Sequence, residues 1–191
     1  EVVNVMLSFV SEEDIHIYSI DEAFIDLTSY LSFYKKNEYE LTKAIMDKIR
    51  EVTGLQATGG IGENFFLAKV ALDVYAKHEK DGIAVMHMDD VPDKLWPITP
   101  LNKIWGIGPN TEIKLNKMGI YNMYDLAHTD RDYFISKFGI MGEQLIDHAN
   151  GIDEADIHEE YIPNETSISL GQTLHEDYSS KDAEYLLREM N

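Results

Sequence analysis

One short segment of the chain places two acidic residues inside an apolar run typical of β-strands. The segment is residues 18–27, and the two acids are the neighbours Asp21 and Glu22, while a third acid, Asp26, stands near its end. The Ile, Phe and Tyr residues on both sides predict a hairpin that bends near Asp21. Neighbouring side chains of an extended strand point to opposite faces, so both carboxylates reach one site only where the strand turns.

An acidic pair among apolar residues is unfavourable unless positive charge meets it. A pair of metal ions that handles phosphates would supply that charge, which is the functional interpretation. A solvated hairpin tip is the alternative, and for a generic strand it is the more frequent one. Here the flanking residues are apolar on both faces, unlike those of an exposed tip: Ile17, Ile20, Phe24, Ile25 and Leu27.

The composition limits the class of protein. The chain has 191 residues, of which 44% are hydrophobic, so it can fill a core. It has no cysteine, which excludes disulfides and thiolate metal sites and fits a reducing, cytoplasmic compartment. No apolar stretch approaches the length of a membrane span, so we expect no membrane partner. Both ends interrupt recognisable patterns, and we expect the sequence to be part of a longer protein.

The charge of the chain bears on its partners. The formal net charge of −19 argues against nucleic acid, because Lys and Arg contacts with phosphates drive such binding. The excess is uneven, since residues 151–191 carry 2 basic and 11 acidic side chains whereas residues 89–150 carry 6 and 9. The near balance of the middle segment is compatible with DNA contacts, and the overall charge leaves an acidic protein-interaction domain as one alternative.

Hydrophobic periodicity divides the chain into an α/β part and a helical part. Helices at 2–10, 38–52 and 63–77 and strands at 15–28, 55–61 and 82–86 predict an α/β sheet layer. Residues 89–150 show only short helical segments separated by Gly and Pro, which predicts a small all-α domain. Beyond them, residues 151–166 are acidic and unpatterned like a linker, and residues 167–174 alternate weakly like one strand.

A glycine-rich turn at residues 59–64 leads from a predicted strand into a helix. Such turns can present backbone N–H groups to phosphate, but the Walker pattern is absent, and a plain tight turn is the simpler interpretation. The helix carries Lys69 and ends at Lys77. Taken alone, each lysine is most simply a solvated surface group.

A second glycine pair lies in residues 101–120, where a helix, the run Gly106-Ile107-Gly108 and a helix opened by Pro109 follow one another. Glycine lets the backbone approach closely, and a helix N-terminus offers free N–H groups to a phosphate. We interpret this pattern as a helix-hairpin-helix that binds the DNA backbone, with a purely structural hairpin as the alternative. The nearby cations are Lys103, Lys114 and Lys117.

The histidines and tryptophans show no pattern of a ligand site. The seven histidines, at positions 16, 78, 87, 128, 148, 158 and 175, lack metal-ligand spacing, which favours surface or packing roles. Trp96 and Trp105 are predicted to lie in the core rather than to stack on bases.

In this order the motifs resemble those of the Y-family (UmuC/DinB-type) translesion DNA polymerases. The resemblance lies in residues 18–27, 60–69, 76–77 and 105–108, and residues 76–84 are most similar to UmuC-like proteins of Gram-positive bacteria. It implies an α/β palm, with a mixed or antiparallel sheet and helices, over 1–88. It also implies a small all-α helix-hairpin-helix thumb over 89–160, and a linker with the start of a truncated little-finger domain over 161–191.

The resemblance further implies an error-prone polymerase of the DNA damage response that uses two Mg²⁺ ions. Asp21 would bridge both ions, Glu22 would bind the catalytic ion, and Lys77 would meet the triphosphate of the incoming dNTP. A sliding clamp and a recombinase filament are further implied partners besides the primer–template. The DNA contacts implied are the amides of Gly106, Ile107 and Gly108 and the side chains of Lys69, Lys103 and Lys114.

Two departures from the family pattern qualify these expectations. The first catalytic Asp, its aromatic steric gate and the Tyr and Arg of the fingers would precede Glu1, so we expect these 191 residues not to polymerise DNA. Phe65 and His78 stand where the family commonly has Lys and Pro, so the resemblance does not fix the strength of triphosphate binding. The alternative function is a non-catalytic DNA-binding or regulatory module that uses only the helix-hairpin-helix.

Overall fold

Short strands and helices alternate up to Val85, and only helical elements follow in residues 86–159. The structure, a computed structural model, describes residues 1–159 and Ser179. The strands are β1 (Ile15–Ile17), β2 (Ala23–Ile25), β3 (Gly59–Ile61) and β4 (Ile83–Val85). The α-helices are α1 (Val2–Met6), α2 (Thr28–Tyr34), α3 (Glu38–Thr53), α4 (Phe65–Val70), α5 (Pro109–Lys117), α6 (Met123–Ala127), α7 (Arg131–Phe138) and α8 (Ile140–Ala149).

Tighter and wider helical turns complete these elements. Helix α4 continues as a π-helical turn (Ala71–Tyr75) and a 3-10 turn (Ala76–His78), so the helix predicted at 63–77 is confirmed as one continuous helical segment. The remaining turns are the 3-10 turns Glu12–Asp14, Met88–Asp90 and Leu101–Lys103 and the π-helical turn Val91–Leu95. The predicted linker beyond residue 159 and the strand predicted at 167–174 lie outside the described residues.

The strands form two separate two-stranded sheets. β1 pairs antiparallel with β2, with Ile15 opposite Ile25, and β3 pairs parallel with β4, with Gly59 opposite Ile83. The predicted hairpin and the strands near 55–61 and 82–86 are therefore confirmed, although each is shorter than predicted. Within the described residues the four strands do not join into the single layer that the periodicity predicts, because a groove separates β2 from β3.

Helix α2 begins at Thr28, where the predicted strand ends, in a stretch for which the sequence predicts no helix. Oδ1 of Asp26 accepts a hydrogen bond from the backbone N–H of Thr28 at 2.8 Å and turns the chain out of the hairpin. The aromatic and hydroxyl residues of α2 favour a strand by propensity, but packing decides the outcome. Tyr30 and Leu31 pack against the buried face of α3.

Helix α3 follows the sequence prediction closely. The Asn37 side chain accepts from the N–H of Glu40 at 2.8 Å, and the Glu40 carboxylate accepts from the N–H of Asn37 at 3.2 Å, which completes a capping box. Gly54 ends the helix at φ +73°, a conformation that favours glycine. The buried face consists of Leu41, Ile45 and Ile49.

The larger apolar core joins α4 and β4 to the helical part of the chain. Phe66 and Met86 share this core with Leu115, Phe134 and Leu145, all of them buried. The apolar contacts therefore continue across the domain boundary predicted near residue 88, and that boundary stays a prediction. Among the described residues, no helix is long and apolar enough to cross a membrane.

Candidate active site

The hairpin between β1 and β2 carries Asp21 and Glu22 in a tight turn. The backbone N–H groups of Tyr18 and Ser19 donate to the carbonyl of Glu22 at 3.0 and 3.1 Å. The Ser19 hydroxyl donates to Oδ1 of Asp21 at 2.7 Å and orients that carboxylate. Asp21 is exposed, whereas the Glu22 side chain is 31% exposed. The predicted bend at Asp21 is confirmed, but the expectation that the apolar flanks set this turn apart from an exposed tip is wrong, since Ile20 is fully exposed and Ile17 is 52% exposed. Asp21 lies in solvent at this tip, whereas Glu22 is partly buried.

Lys69 supplies positive charge beside the acidic turn. Its ammonium lies 2.6 Å from Oε1 of Glu22 and 3.1 Å from Oδ1 of Asp73, and its side chain is only 7% exposed. Burial lowers the pKa of Lys69, but hydrogen bonds to Glu22 and Asp73 more than offset this effect and raise the pKa above its ordinary value. Lys69 is therefore charged at neutral pH and holds the Glu22 carboxylate.

The predicted DNA contact of Lys69 stays a prediction, and its burial favours a role inside the protein. The ammonium already has two carboxylate partners. The spacing of Lys69 and Asp73, four residues apart on a helix, is a sequence signal that could have found one of them. The contact with Glu22 spans 47 residues, so no local pattern indicates it.

The acidic turn also contacts the helical part of the chain through an aromatic pair. The indole N–H of Trp105 donates to the hydroxyl oxygen of Tyr18 at 2.9 Å, and the two rings meet edge-on with centroids 5.7 Å apart. The Trp105 ring lies nearly parallel to that of His148 at 6.3 Å, and His148 stacks on Phe66 at 4.1 Å. Trp105 thus packs against the larger core, as predicted, and also reaches the turn.

The glycine-rich turn before α4 allows close packing of β3 on the helix. A Cβ on Gly60 would lie 2.5 Å from the backbone nitrogen of Leu72. Oδ1 of Asn64 accepts from the N–H of Leu67 at 2.8 Å, so the protein itself caps the start of α4. These contacts favour the interpretation of residues 59–64 as a structural turn over a phosphate-binding loop.

Residues 101–117 form the predicted hairpin between a 3-10 turn and α5. Ile104 and Ile107 are buried, and the N–H of Ile107 donates to the carbonyl of Ile104 at 3.0 Å. Gly106, at φ +87°, and Gly108 are exposed, with open space where a Cβ would stand. No side chain caps α5, so its first N–H groups are available to an acceptor such as a phosphate.

The predicted cations of the site lie in different places. Lys103 and Lys114 are exposed near the hairpin, as a contact with phosphates requires. Lys77 is exposed in the 3-10 turn at the end of α4, and within the described part of the chain it forms no ion pair. The structure therefore brings Lys69, not Lys77, to Glu22, and the nucleotide contact of Lys77 stays a prediction.

The donor atoms of the acidic turn suit Mg²⁺. Asp21 and Glu22 each have one oxygen held by a neighbour, from Ser19 and Lys69, and a second oxygen outside those bonds. Mg²⁺ prefers hard oxygen ligands and typically binds one or two carboxylates while it keeps several waters. In residues 1–159 no third acidic or histidine side chain completes a ligand group with these two.

A different set of potential metal ligands lies at the open end of the hairpin. Asp14, Asp26 and His158 offer ligand atoms within 4.8 Å of one another, and Nε2 of His158 lies 3.8 Å from each carboxylate. The Tyr30 hydroxyl donates to the other oxygen of Asp14 at 2.5 Å. Burial raises the pKa of Asp26, but hydrogen bonds from Thr28 and the charge of His158 bring that pKa below its ordinary value. Three separate segments build this group, which is why histidine spacing does not reveal it.

A groove of about 480 Å³ lies between β2 and β3, with Glu22 and Lys69 among its lining residues. At the two ends of the β1–β2 pair, the N–H of Tyr18 donates to the carbonyl of Glu22 and the N–H of Asp26 donates to the carbonyl of Asp14. In an antiparallel pair, hydrogen-bonded and non-hydrogen-bonded residues alternate, so the backbone groups of Ala23 and Ile25 point away from β1. One wall of the groove is therefore a strand edge that is unpaired among the described residues.

The opposite wall of the groove is the free edge of β3. The N–H of Gly59 donates to the carbonyl of Gly82, and the carbonyl of Ile61 accepts from Met86, so both face β4. The backbone of Gly60 between them points to the other side. Both walls thus present main-chain N–H and C=O groups that lack a ladder partner within residues 1–159.

Comparison with protein families identifies the class. The model of the impB/mucB/samB family matches residues 1–73, and the model of the HHH motif of the same family matches residues 89–120. These ranges contain the acidic turn and the helix-hairpin-helix, in the order in which the sequence shows them. The chain belongs to this UmuC/DinB-type Y-family, with an α/β palm region followed by a helical thumb region.

Individual relatives cover nearly all of the chain. UvrX of Bacillus subtilis (strain 168) is 41% identical over 182 residues, 95% of this chain and 42% of the relative. DNA polymerase IV 2 of the same organism is 35% identical over 167 residues, 87% of this chain and 40% of the relative. The solved insertion ternary complex of Dbh DNA polymerase aligns with a TM-score of 0.69 and 26% identity, over 81% of this chain and 44% of that one. The chain thus spans about two fifths of the length of these relatives.

Proposed function

We propose that the chain is part of an error-prone lesion-bypass DNA polymerase and carries two of the carboxylates of its metal site. The observation that supports this most is the turn with Asp21 and Glu22, which touches the helix-hairpin-helix through Trp105. A protein that only bound DNA would have no need of two carboxylates beside its DNA-binding hairpin. The names of the relatives, DNA polymerase IV 2 among them, agree with this proposal.

Nucleotidyl transfer requires an activated 3′-hydroxyl and neutralisation of the charge on the pyrophosphate, and bound Mg²⁺ supplies both. Asp21, the exposed acid, would hold both ions, and Glu22 would hold the catalytic one. Lys69 keeps the Glu22 carboxylate oriented before a metal ion arrives. Lys77 would meet the triphosphate of the incoming nucleotide.

The helix-hairpin-helix would hold the primer–template through its backbone. Gly106 and Gly108 leave open space at the hairpin, which lets a phosphate approach the amides around Ile107. Lys103 and Lys114 would add contacts that weaken as salt rises. A sliding clamp and a recombinase filament stay predictions of the family resemblance alone.

We expect Asp21→Asn and Glu22→Gln each to weaken Mn²⁺ binding by about tenfold or more, because each removes a charged oxygen ligand. Electron paramagnetic resonance of free Mn²⁺ measures this affinity, with Mg²⁺ competition to confirm the preference. Both variants should keep their affinity for a duplex with a recessed 3′ end, as measured by fluorescence anisotropy.

Two control variants make this test specific. Asp47→Asn removes an exposed carboxylate of α3 and should leave Mn²⁺ affinity unchanged. His158→Gln reports any Mn²⁺ held by the group at the open end of the hairpin. Equal Mn²⁺ affinity in the Asp21, Glu22 and Asp47 variants, with duplex binding intact, would contradict the metal site and favour the DNA-binding module.

A further inference from the structure

We propose that Trp105 is a positioning residue, through which the DNA-binding hairpin sets the position of the turn with Asp21 and Glu22. This inference rests on the proposed function, since it assigns a task to the contact between the two proposed sites. The contact consists of a hydrogen bond from the indole N–H of Trp105 to the hydroxyl oxygen of Tyr18 at 2.9 Å, with the rings edge-on, and of a ring contact between Trp105 and Phe24 at 6.3 Å.

The turn needs support from outside its own hairpin. Ile20 at its tip is fully exposed and Asp21 is exposed, so neither residue packs against the core. The two backbone-to-backbone hydrogen bonds of the turn, from the N–H groups of Tyr18 and Ser19, share one acceptor, the carbonyl of Glu22. Among the described residues, Lys69 holds Glu22 and Trp105 holds Tyr18, whereas Phe65 packs only on the strands below the turn, against His16 and Phe24.

Trp105 is itself firmly placed by the hairpin that carries it. Its neighbours Ile104 and Ile107 are 2% and 3% exposed, and a backbone hydrogen bond of 3.0 Å between them closes the turn around Trp105 and Gly106. The Trp105 ring also lies parallel to His148, within 16°. If the hairpin of the helix-hairpin-helix shifts when it binds a phosphate, the indole N–H of Trp105 therefore moves with it.

Tyr18 passes this placement on to the acidic turn. Its ring meets Phe24 of β2 at 5.8 Å, and the Lys69 ammonium lies 5.8 Å from its centroid. That ammonium is the one bonded to Glu22 at 2.6 Å. Three consecutive side-chain contacts therefore connect Trp105 to Glu22: Trp105 with Tyr18, Tyr18 with Lys69, and Lys69 with Glu22. Coupling between two binding sites is reciprocal, so metal at the turn should also stabilise the hairpin.

Nuclear magnetic resonance of the ¹⁵N-labelled chain tests the positioning role. The chain has two tryptophans, so the indole N–H signal of one serves as an internal control for that of the other. The indole N–H of Trp105 bonds to Tyr18, and that of Trp96 bonds to the carbonyl of Ala149 at 3.0 Å. We expect Tyr18→Phe to accelerate hydrogen exchange of the Trp105 indole by about 3- to 10-fold, the range for loss of one neutral hydrogen bond, and to leave that of Trp96 unchanged.

A variant of the other partner, Trp105, tests the effect of this hydrogen bond on the backbone of the turn. Trp105→Phe keeps an aromatic ring and removes the donor, and we expect about 3- to 10-fold faster exchange of the amides of Tyr18 and Ser19. The double variant should add little to either single variant. Tyr34→Phe, which removes a tyrosine hydrogen bond of 2.9 Å to the Phe9 carbonyl, is the matched control and should leave these amides unchanged.

Addition of a duplex with a recessed 3′ end tests the coupling. In the wild type, the amides of Tyr18 and Ser19 should exchange more slowly with duplex bound, and Trp105→Phe should abolish this protection while duplex affinity is retained. Unchanged exchange of these amides in Trp105→Phe, or protection by duplex that stops at residues 106–117, overturns the proposal. Absence of duplex binding in the wild type would instead contradict the proposed function, and the duplex-free comparison still decides the role of Trp105.

Discussion

Replacement of Lys69 by methionine is expected to lower the free energy of unfolding by about 2–3 kcal/mol. The substitution removes the only cation that the described residues place within 4 Å of Glu22 and Asp73, and it leaves both carboxylates partly buried without a partner. Loss of one partner of a fully buried pair has a larger effect, but these two acids are about one third exposed, which reduces it. Urea unfolding followed by circular dichroism measures the change.

The pH dependence of this effect follows from the raised pKa of Lys69. A lysine whose pKa is higher in the folded state contributes stability that is fully present below its ordinary value of 10.5 and is lost as pH rises through the folded value. The difference between wild type and Lys69→Met should therefore be full at neutral pH and shrink above about pH 10.5.

Two comparisons separate the ion pair from the loss of a long side chain. Lys43→Met removes an exposed pair with Asp47 on α3, and we expect a change within about 0.5 kcal/mol. Glu22→Gln in the Lys69→Met background should recover part of the lost stability, because it removes the uncompensated charge. An equal loss for Lys69→Met and Lys43→Met would contradict the role assigned to Lys69.

The second large effect is expected for Gly60→Ala, at about 3 kcal/mol of lost stability. The added Cβ would collide with the backbone carbonyl of Ala68 and lie 2.5 Å from the backbone nitrogen of Leu72, and a helix backbone cannot yield as a flexible side chain does. Either β3 separates from α4 or α4 shifts, and both movements disturb Lys69. We therefore expect Mn²⁺ binding at the turn to weaken together with thermal stability.

Gly108→Ala is the matched control for this substitution. Gly108 has open space where the added Cβ would stand and a φ of −80°, which any residue adopts. We expect a stability change within about 0.5 kcal/mol, as at other unconstrained surface positions. A Gly60→Ala variant as stable as Gly108→Ala would show that β3 does not lie against α4 as described.

The parts of the fold that local patterns determine could be predicted from the sequence. The bend at Asp21 follows from acids inside a strand-forming run, and α3 follows from its spacing of apolar residues and from Gly54. Helix α2 could not be predicted, because its residues prefer strands and only packing against α3 and the turn at Asp26 make it helical. The division into two sheets is also a tertiary property.

In the candidate site, too, local sequence patterns predict some features, and tertiary contacts determine the others. The acidic turn and the glycine hairpin are contiguous in sequence, and their residue types indicate their chemistry. The contacts that hold them, Lys69 to Glu22 and Trp105 to Tyr18, span 47 and 87 residues. Neither residue type is unusual at its position, so periodicity and spacing carry no information about these partners.

The groove between β2 and β3 has a consequence for the behaviour of these residues in solution. Within residues 1–159, two facing rows of main-chain donors and acceptors lack a ladder partner and form a template for strand addition. An extended segment of a neighbouring molecule that pairs with either edge satisfies the main-chain groups of that edge. Self-association of these residues should therefore rise with concentration and be suppressed by a peptide that occupies the slot.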